Sequence, residues 1–328
     1  MVLTTTLYDE GVGYLEMEGA YLLMSALGGH PGLNLEVGKM ATVFGRFASR
    51  SFASVNPLIG TPLIYHYFSA VRGNQVPASP AQQLAWRDVA GAAYQVRGLP
   101  TVYDACWATG VQLFGATRSF AWAAAVTKGA LSNPSATSND GAQVVARVGV
   151  QPTMGWQLGL SAGRGPYLEA AAGRTPAFPG NRGVEDFHQT IVGADASYNV
   201  AHCEFVAEVV HSRWEVPNLA AGDDVLAHTG GYLEGAIALR PGLKYALRLD
   251  AIRYSQIDDG SGRQVPWDYD VSRLETGLEY YVTRDVHVKA AVQLNRRRIP
   301  NATSGYEAGD GAPDDADHMV GAQLSSAF

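Results

Sequence analysis

The 328-residue sequence predicts an all-β protein, a transmembrane antiparallel β-barrel of about 14 strands, with 16 as the alternative count. Three observations predict this fold class. Apolar and polar residues alternate with period two in segments of about ten residues, and short and long connections alternate between these segments. No apolar run approaches the about 20 residues that a membrane-spanning helix needs. We expect residues 1–328 to form a single barrel domain.

The clearest alternation runs from Val271 to Val282 and resumes after a turn at residues 283–285. Leu278 belongs to one face of the first strand, and Glu279 belongs to the other. Successive side chains of a strand point to opposite faces, so this pattern predicts a wall that is apolar outside and polar inside.

The same pattern recurs upstream, with tight turns predicted near residues 116–117, 151–153, 201–202 and 240–242. Bacterial barrels have short turns on the periplasmic side and longer loops outside. Aromatic residues lie near the predicted strand ends. Trp156 and Tyr198 lie beside short turns, whereas Trp214 and Tyr254 lie beside long connections. We expect all four to belong to the aromatic girdles at the membrane interfaces.

Composition excludes several other classes. Charged residues make up 17% of the chain, against about 25% in a typical soluble protein. A net charge of -7 argues against nucleic acid as a partner. Cys106 and Cys203 cannot form a disulfide framework, and no motif indicates zinc, so we expect neither metal nor cofactor. A soluble β-sandwich or propeller is the alternative fold, but no blade-sized repeat is present.

Both ends of the sequence bear on export. Val320, Ala322, Leu324 and Phe328 share one face of a final strand. A terminal aromatic after such a strand resembles the segment that the barrel-assembly machinery recognises in outer-membrane proteins. The residues after Met1 contain neither a basic region nor an apolar region, so no signal peptide is predicted, and we assume a mature, trimmed or re-engineered chain.

Residues 18–47 resemble porins of the phosphate-selective porin O/P type, which carry a strand reading like LxVGKFxxPFG. The matching residues are Leu35, Val37, Gly38, Lys39, Phe44 and Gly45. Met40 and Val43 replace the aromatic residue and the proline that are usual in that motif. The resemblance implies an outer-membrane porin fold that is often trimeric. It does not imply phosphate as the substrate, because the chain has no arginine-rich ladder.

Residues 46–100, called the long segment below, are too long for an ordinary connection. In porins of this kind such a segment folds inward and narrows the pore. The alternative is an additional hairpin in the wall. The residues predicted at the constriction are Arg46, Arg50, His66, Arg72 and Arg87.

Strand parity also predicts the charged residues that line the lumen. The predicted acidic members are Glu16, Glu18, Glu36, Asp195, Glu204, Glu208, Glu234, Asp250, Glu275 and Glu279. The predicted basic members are Arg147, Lys244, Arg248, Arg273, Lys289 and Arg297. Charges that line a wet lumen select solutes by charge, and the acidic excess predicts a weak cation preference. Pairing of these charges across neighbouring strands is the alternative reading.

The sequence therefore favours an outer-membrane porin of a Gram-negative-type bacterium that lets small hydrophilic solutes diffuse through. Its expected partners are membrane lipid, lipopolysaccharide, the solutes and two further copies of itself. One alternative is a structural sleeve that holds a partner such as a multihaem cytochrome or anchors a surface assembly. A second alternative is a barrel hydrolase, but no catalytic motif is present, and we expect no enzymatic activity.

Overall fold

The structure is a computed structural model. It describes residues 2–8, 14–87, 98–103, 107–134, 139–174, 178, 182–217, 225–298 and 318–326. Side chains are described from residue 19 onward, with the exception of residues 173, 174 and 298.

Within these residues, 14 strands form one antiparallel sheet, which agrees with the predicted count. The first seven are β1 (Val2–Tyr8), β2 (Tyr14–Met24), β3 (Asn34–Ala41), β4 (Trp107–Ala116), β5 (Phe120–Lys128), β6 (Ala142–Val150) and β7 (Trp156–Pro166). The others are β8 (His188–Val200), β9 (Cys203–Glu215), β10 (Val225–Arg240), β11 (Leu243–Tyr254), β14 (Asp270–Tyr281), β15 (Val286–Arg298) and β16 (His318–Ser326). Each strand pairs with the next of these strands along the chain.

The remaining elements lie in the connections. β12 (Gln256–Asp258) and β13 (Gln264–Pro266) form a small separate sheet. Two short α-helices, α1 (Leu63–His66) and α2 (Pro80–Trp86), belong to the long segment. The 3-10 turns are Leu27–Gly29, Phe47–Arg50, Ala170–Arg174 and Val184–Asp186. None of the described helices is long and apolar enough to cross a membrane.

The period-two pattern produces the two faces that the sequence predicts. On β14, Leu278 is 46% exposed and the adjacent Glu279 is 2% exposed. The pairing of β14 with β15 sets Glu279 opposite Lys289 and Leu278 opposite Ala290. Inward side chains of neighbouring strands therefore lie side by side, and the outward face is a continuous apolar wall.

Short and long connections alternate as predicted. The connections between β8 and β9 and between β10 and β11 are two residues long, at residues 201–202 and 241–242. Ala201 and Gly242 adopt positive φ angles of 50° and 80°, the backbone conformation that such tight turns use. The connections at the other ends of these strands, such as residues 167–187 and 255–269, are much longer.

The long segment lies inside the curved sheet. Its residues bond to inward side chains of β7, β9, β10, β11, β14 and β15. One segment can touch the same face of so many strands only if the sheet curves around it. The protein is thus a transmembrane antiparallel β-barrel with a long inward-folded segment, and the alternative of an additional wall hairpin is wrong.

A hydrophobic core fills the barrel toward the long connections. Phe44, just before the long segment, and Phe47, at its start, are at most 1% exposed, and they belong to one cluster with inward Val145, Ile191 and Val210. The sequence-based list of lumen residues contains only charged side chains, and it therefore missed this apolar half of the interior.

One prediction about the aromatic residues is wrong. Trp214 and Tyr254 point inward and are 0% and 8% exposed. Trp214 stacks on His228 at a centroid distance of 5.0 Å, and Tyr254 packs edge-on against Trp267 at 4.6 Å. These residues therefore belong to the core. By contrast, Trp156 and Tyr198 stack at 4.5 Å beside short turns, as predicted.

Candidate functional site: the barrel interior

Gly45 allows the chain to turn into the barrel after β3. Its φ angle is +68°, a conformation that favours glycine. Its N–H donates a 3.1 Å hydrogen bond to Ser161 Oγ on β7. A Cβ atom at this position would collide with the Glu208 carboxylate and the Tyr65 hydroxyl. Gly45 therefore sets both the direction of the long segment and its close approach to the wall.

Carboxylates on the wall accept hydrogen bonds from the long segment. Tyr65 Oη donates to Glu208 Oε1 at 2.7 Å, and the Leu63 N–H donates to Asp250 Oδ1 at 3.0 Å. Farther along the wall, the Gly60 N–H donates to a Glu275 oxygen at 2.7 Å. Buried carboxylates need such donors, because an unpaired buried charge is costly. These acids therefore hold the segment in place.

Arg248 is the centre of the largest charge cluster among the described residues. Its side chain is fully buried and donates to Glu234 at 3.2 Å, to Asp250 at 3.3 Å and to Glu275. It also donates to the Gly60 carbonyl at 2.7 Å. One guanidinium thus joins three strands of the wall to the long segment.

Arg50 connects the start of the segment to the same cluster. Its Nη2 atom lies 2.8 Å from Glu234 and 3.6 Å from Glu204. Arg50 therefore neutralises acids of the wall from the long segment. These lumen charges are paired, as the alternative to a charge-selective lumen expected, although the partner here comes from the segment and not from a neighbouring strand.

Lys289 on β15 binds backbone carbonyls of the segment. Its ammonium donates to the carbonyls of Ala53 at 2.5 Å, of Asn56, and of Leu58 at 3.5 Å. It also lies 3.8 Å from Glu279. Since an ammonium has three protons and no acceptor, this carbonyl cluster satisfies it.

Near the short turns, Glu279 is the acid that His287 and Lys244 share. His287 Nδ1 lies 3.1 Å from Glu279, and the Lys244 ammonium lies 3.6 Å from it. Lys244 also donates to the Tyr281 hydroxyl at 3.0 Å. This group forms a paired cluster at the rim with the short turns.

Arg273 and Arg297 hold the middle of the segment. Arg273 donates to the Thr61 carbonyl at 3.1 Å, and Arg297 donates to the Tyr67 hydroxyl at 2.7 Å. Burial raises the pKa of Tyr67 above its ordinary value, so the phenol stays neutral and accepts this bond. Both wall arginines therefore bind the segment rather than open solvent.

Asp268, in the connection between β11 and β14, is the anchor nearest the long connections. It is fully buried and accepts a 2.7 Å hydrogen bond from the Ala70 N–H of the long segment. Burial raises its pKa to about 6, although hydrogen bonds from the Tyr269 and Ala70 N–H groups and the charges of Arg297 and Arg87 act in the opposite direction. The carboxyl group of Asp268 therefore changes its protonation state at about pH 6.

Next to the packed segment, a cavity of about 670 Å³ with both polar and apolar lining residues remains along β3 to β7. Its inward-facing lining includes Glu36, Gln112, Arg147 and Gln157, and Arg46 borders it from the long segment. Arg46 donates a 2.6 Å bond to Gln157 Oε1.

The charges around the cavity are of both signs. Arg147 forms a two-pronged ion pair with Asp195, in which one of the two bonds measures 2.8 Å. Glu36 remains as an acid that borders the same space, and Arg46 and Arg118 remain as bases. The cavity therefore presents both signs of charge to a solute.

The structure distributes the predicted lumen residues that it describes between two environments. Glu36 and Arg147 border the cavity, and Asp195 pairs with Arg147. The paired charges that hold the segment or one another are Glu204, Glu208, Glu234, Lys244, Arg248, Asp250, Arg273, Glu275, Glu279, Lys289 and Arg297. The side chains of Glu16 and Glu18 lie outside the described residues.

The five residues predicted at the constriction lie in different parts of the structure. Arg46 borders the cavity, and Arg50 pairs with Glu234. Arg72 lies over the Trp86 ring at 4.3 Å, and Arg87 donates to the Pro266 carbonyl at 2.9 Å, so both lie among the packed connections. His66 is exposed, with its ring 5.7 Å from Phe68. Their roles in a pore stay a prediction.

The alternation along the strands also places uncharged polar residues on the inward face, and the prediction of lumen residues left these out. Gln112 and Gln157 occupy inward positions of β4 and β7 and border the cavity, but only charged residues were selected. Among the described residues, no group of three or more His, Cys, Asp or Glu side chains is placed to hold a metal ion.

Comparison with known proteins supports the fold and leaves the family open. No protein-family model matches the chain, and no curated protein matches its sequence. Solved structures of outer-membrane proteins and porins do match the fold of this chain.

Three of these structures cover nearly the whole chain. In-vitro folded OmpT of Vibrio cholerae, an outer-membrane protein in its trimer form, has a TM-score of 0.53 and 10% identity, over 99% of this chain and 85% of that chain. OmpF of Salmonella typhi, in complex with daunomycin, has a TM-score of 0.56 and 10% identity, over 95% and 78%. The anion-selective porin from Comamonas acidovorans has a TM-score of 0.53 and 10% identity, over 98% and 76%.

At this identity the likeness establishes the outer-membrane β-barrel fold. The expected localisation in the outer membrane agrees with these neighbours. The resemblance to phosphate-selective porins stays a prediction.

Proposed function

We propose that this protein is an outer-membrane porin through which small hydrophilic solutes diffuse passively. The observation that carries the proposal is the cavity of about 670 Å³ beside the long segment, whose lining includes Glu36, Gln112 and Arg147. A barrel of this size without an inward segment would have a wide lumen. The packed segment leaves a narrow space instead, and porin neighbours with the same fold support a channel.

In this proposal the long segment sets the size limit. Its contacts with Glu208, Asp250 and Glu275 are buried hydrogen bonds, and it is therefore a fixed obstacle rather than a loose loop. Solutes pass between it and the inward faces of β3 to β7.

We propose that the ion preference is weak and is set by Glu36 and Arg46. The acidic excess on the wall predicted a weak cation preference. Most of those acids are paired with wall bases or with the segment, and Arg46 and Arg50 add positive charge. The cation preference is therefore smaller than the wall residues alone predict.

The sleeve alternative requires a wide, unobstructed lumen. The core around Phe44, Phe47 and Val210 and the anchored segment occupy the space that a partner such as a multihaem cytochrome would need. We therefore favour the porin over the sleeve.

The hydrolase alternative also has little support. His228 lies 2.7 Å from Thr101 Oγ1, but both side chains are buried, and Trp214 stacks on His228. The pair of His287 and Glu279 has no hydroxyl hydrogen-bonded to the imidazole among the described residues. We propose no enzymatic activity.

We propose that residues 1–328 form one domain and that the barrel assembles as a homotrimer in the outer membrane. The trimer form of Vibrio cholerae OmpT supports this assembly.

The test is single-channel recording of the refolded protein in a planar phospholipid bilayer, with a salt gradient across the membrane. We expect stable conductance steps and a reversal potential close to zero, with a slight cation preference. Absence of conductance from protein whose folding and insertion are verified by circular dichroism and protease resistance would overturn the proposal.

A further inference from the structure

A regular series of positive charges lies on the outer surface of the barrel. It involves the strands that run from the short turns toward the long connections. On each such strand with described side chains, the outward apolar residues are followed by one lysine or arginine near the end with the long connection. The six residues are Lys39, Lys128, Arg164, Arg213, Arg253 and Arg296, and we call them the basic belt.

Strand β15 shows the arrangement most clearly. Val288, Val292 and Leu294 point outward and are 38–44% exposed, and Arg296 is the next outward residue. On β11, Leu249 is 49% exposed, and Arg253 is the second outward residue after it. The arginine thus comes directly after the apolar face.

The height of the belt matches the edge of a membrane. From Val286 to Arg296 there are ten residue steps, about 34 Å along a strand and roughly 26 Å along the barrel axis at a tilt of about 40°. The apolar band of such barrels is about 25 Å tall. The belt therefore lies at the level of the lipid headgroups.

The opposite rim differs. Outward side chains on the strands beside the short turns are apolar or aromatic, such as Phe120, Trp156 and Val200, each 40–43% exposed. The exposed arginines at this rim, Arg118, Arg240 and Arg284, lie in the turns or directly beside them. Since long connections lie outside the cell and short turns lie in the periplasm, the belt faces the outer leaflet.

Two arginines of the belt carry positive charge that no described side chain neutralises. Arg164 lies 2.9 Å from Glu215, and Arg253 lies 3.6 Å from Asp270. Arg213 and Arg296 are exposed and have no ion-pair partner among the described side chains. Guanidinium groups bind phosphate through two parallel hydrogen bonds, and basic residues at a membrane surface attract anionic headgroups.

We propose that the basic belt binds the phosphate groups of lipopolysaccharide in the outer leaflet. The inference rests on the proposed outer-membrane location, but it does not depend on whether the barrel conducts. The belt extends from β3 to β15 around the wall, whereas contact with a neighbouring protomer covers only part of a barrel. Its distribution therefore fits a lipid that surrounds the protein.

The experiment uses the refolded full chain in detergent and deep-rough lipopolysaccharide as the probe, with bound lipid detected by native mass spectrometry. The test variant is Arg213→Gln/Arg296→Gln. The control variant is Arg240→Gln/Arg284→Gln, which removes two exposed arginines at the short-turn rim. We expect the test variant to bind the lipid about tenfold or more weakly than wild type, and the control to bind it like wild type.

A second probe is the same lipid after enzymatic removal of its phosphates. We expect it to bind wild type as weakly as the intact lipid binds the test variant. Equal binding of the two lipids, or an equal loss in both variants, would overturn the proposal. Full competition by millimolar inorganic phosphate would also overturn it, because the site would then be one for free phosphate.

A change in oligomeric state of the test variant without lipid would assign the belt to protomer contacts and would also contradict the proposal. Conductance in a bilayer without lipopolysaccharide is measured in parallel. We expect it to be the same in wild type and in the test variant, so failure of the belt and failure of the porin are distinguished.

Discussion

The hydroxyl of Tyr65 in the long segment donates a 2.7 Å hydrogen bond to the carboxylate of Glu208 on β9. Tyr232 on β10 donates to the other oxygen of the same carboxylate at 3.2 Å. All three side chains are buried. The long segment and the wall therefore share one satisfied carboxylate, whose pairing depends on the segment being inside the barrel.

Tyr65→Phe removes one of these two donors and tests that dependence. Because a buried carboxylate loses a partner, we expect a loss of about 1–3 kcal/mol in the free energy of unfolding. We also expect noisier and larger single-channel conductance, since the segment is held less firmly. The control is Tyr280→Phe on the outer face, which we expect to change neither quantity. Equal behaviour of the two variants would contradict the role given to Tyr65.

Arg248→Met tests the charge cluster. The substitution leaves Glu234, Asp250 and Glu275 without their shared guanidinium, and breaking such a buried pair costs about 3–5 kcal/mol. We therefore expect a large decrease in the urea midpoint of unfolding. Arg248→Lys keeps one positive charge, and we expect it to lie between wild type and Arg248→Met. If Arg248→Met is as stable as wild type, the cluster does not hold the barrel together.

Asp268 predicts a dependence of stability on pH. Its pKa is raised from 3.8 to about 6 in the folded protein, so the folded state binds more protons than the unfolded state between these values. Its contribution to the free energy of unfolding therefore decreases as pH rises from about 4 to 6. Asp268→Asn removes this titration. We expect the midpoint of thermal unfolding of wild type to fall relative to that of the variant over this range, and parallel curves would contradict the assignment.

Ion selectivity tests the charges at the cavity. Glu36→Gln removes the acid and is expected to shift the reversal potential toward anions. Arg46→Gln removes the base and is expected to shift it toward cations, because both residues border the same space. The control is Glu185→Gln, an exposed acid in the connection between β7 and β8, which we expect to leave the potential unchanged. Shifts of the same sign for both cavity variants would exclude this cavity as the ion path.

The wall of the barrel could be predicted from the sequence because its signals are local. The alternation of Leu278 and Glu279 and the turn at Gly242 each depend on residues close in sequence. Parity alone therefore assigned the inward and outward faces of most strands.

The interior could not be predicted in the same way, because its contacts join residues far apart in the chain. Tyr65 and Glu208 are separated by 143 positions, and Gly60 and Glu275 by 215. Trp214 shares the inward parity of Glu208, but its position beside a long connection suggested a girdle residue, and the core around it joins residues far apart in the chain. Similarly, the sequence does not show which charged residues of the wall form ion pairs with one another or with the long segment.

The central claim is that the long segment narrows the pore. Its most direct test is the single-channel conductance of a variant in which residues 51–92 are replaced by a short Gly-Ser linker. Folding is verified by circular dichroism and by protease resistance, and Tyr65→Phe provides the same test with an intact chain. We predict a several-fold larger conductance for the deletion. An unchanged conductance from the folded deletion variant would contradict the account.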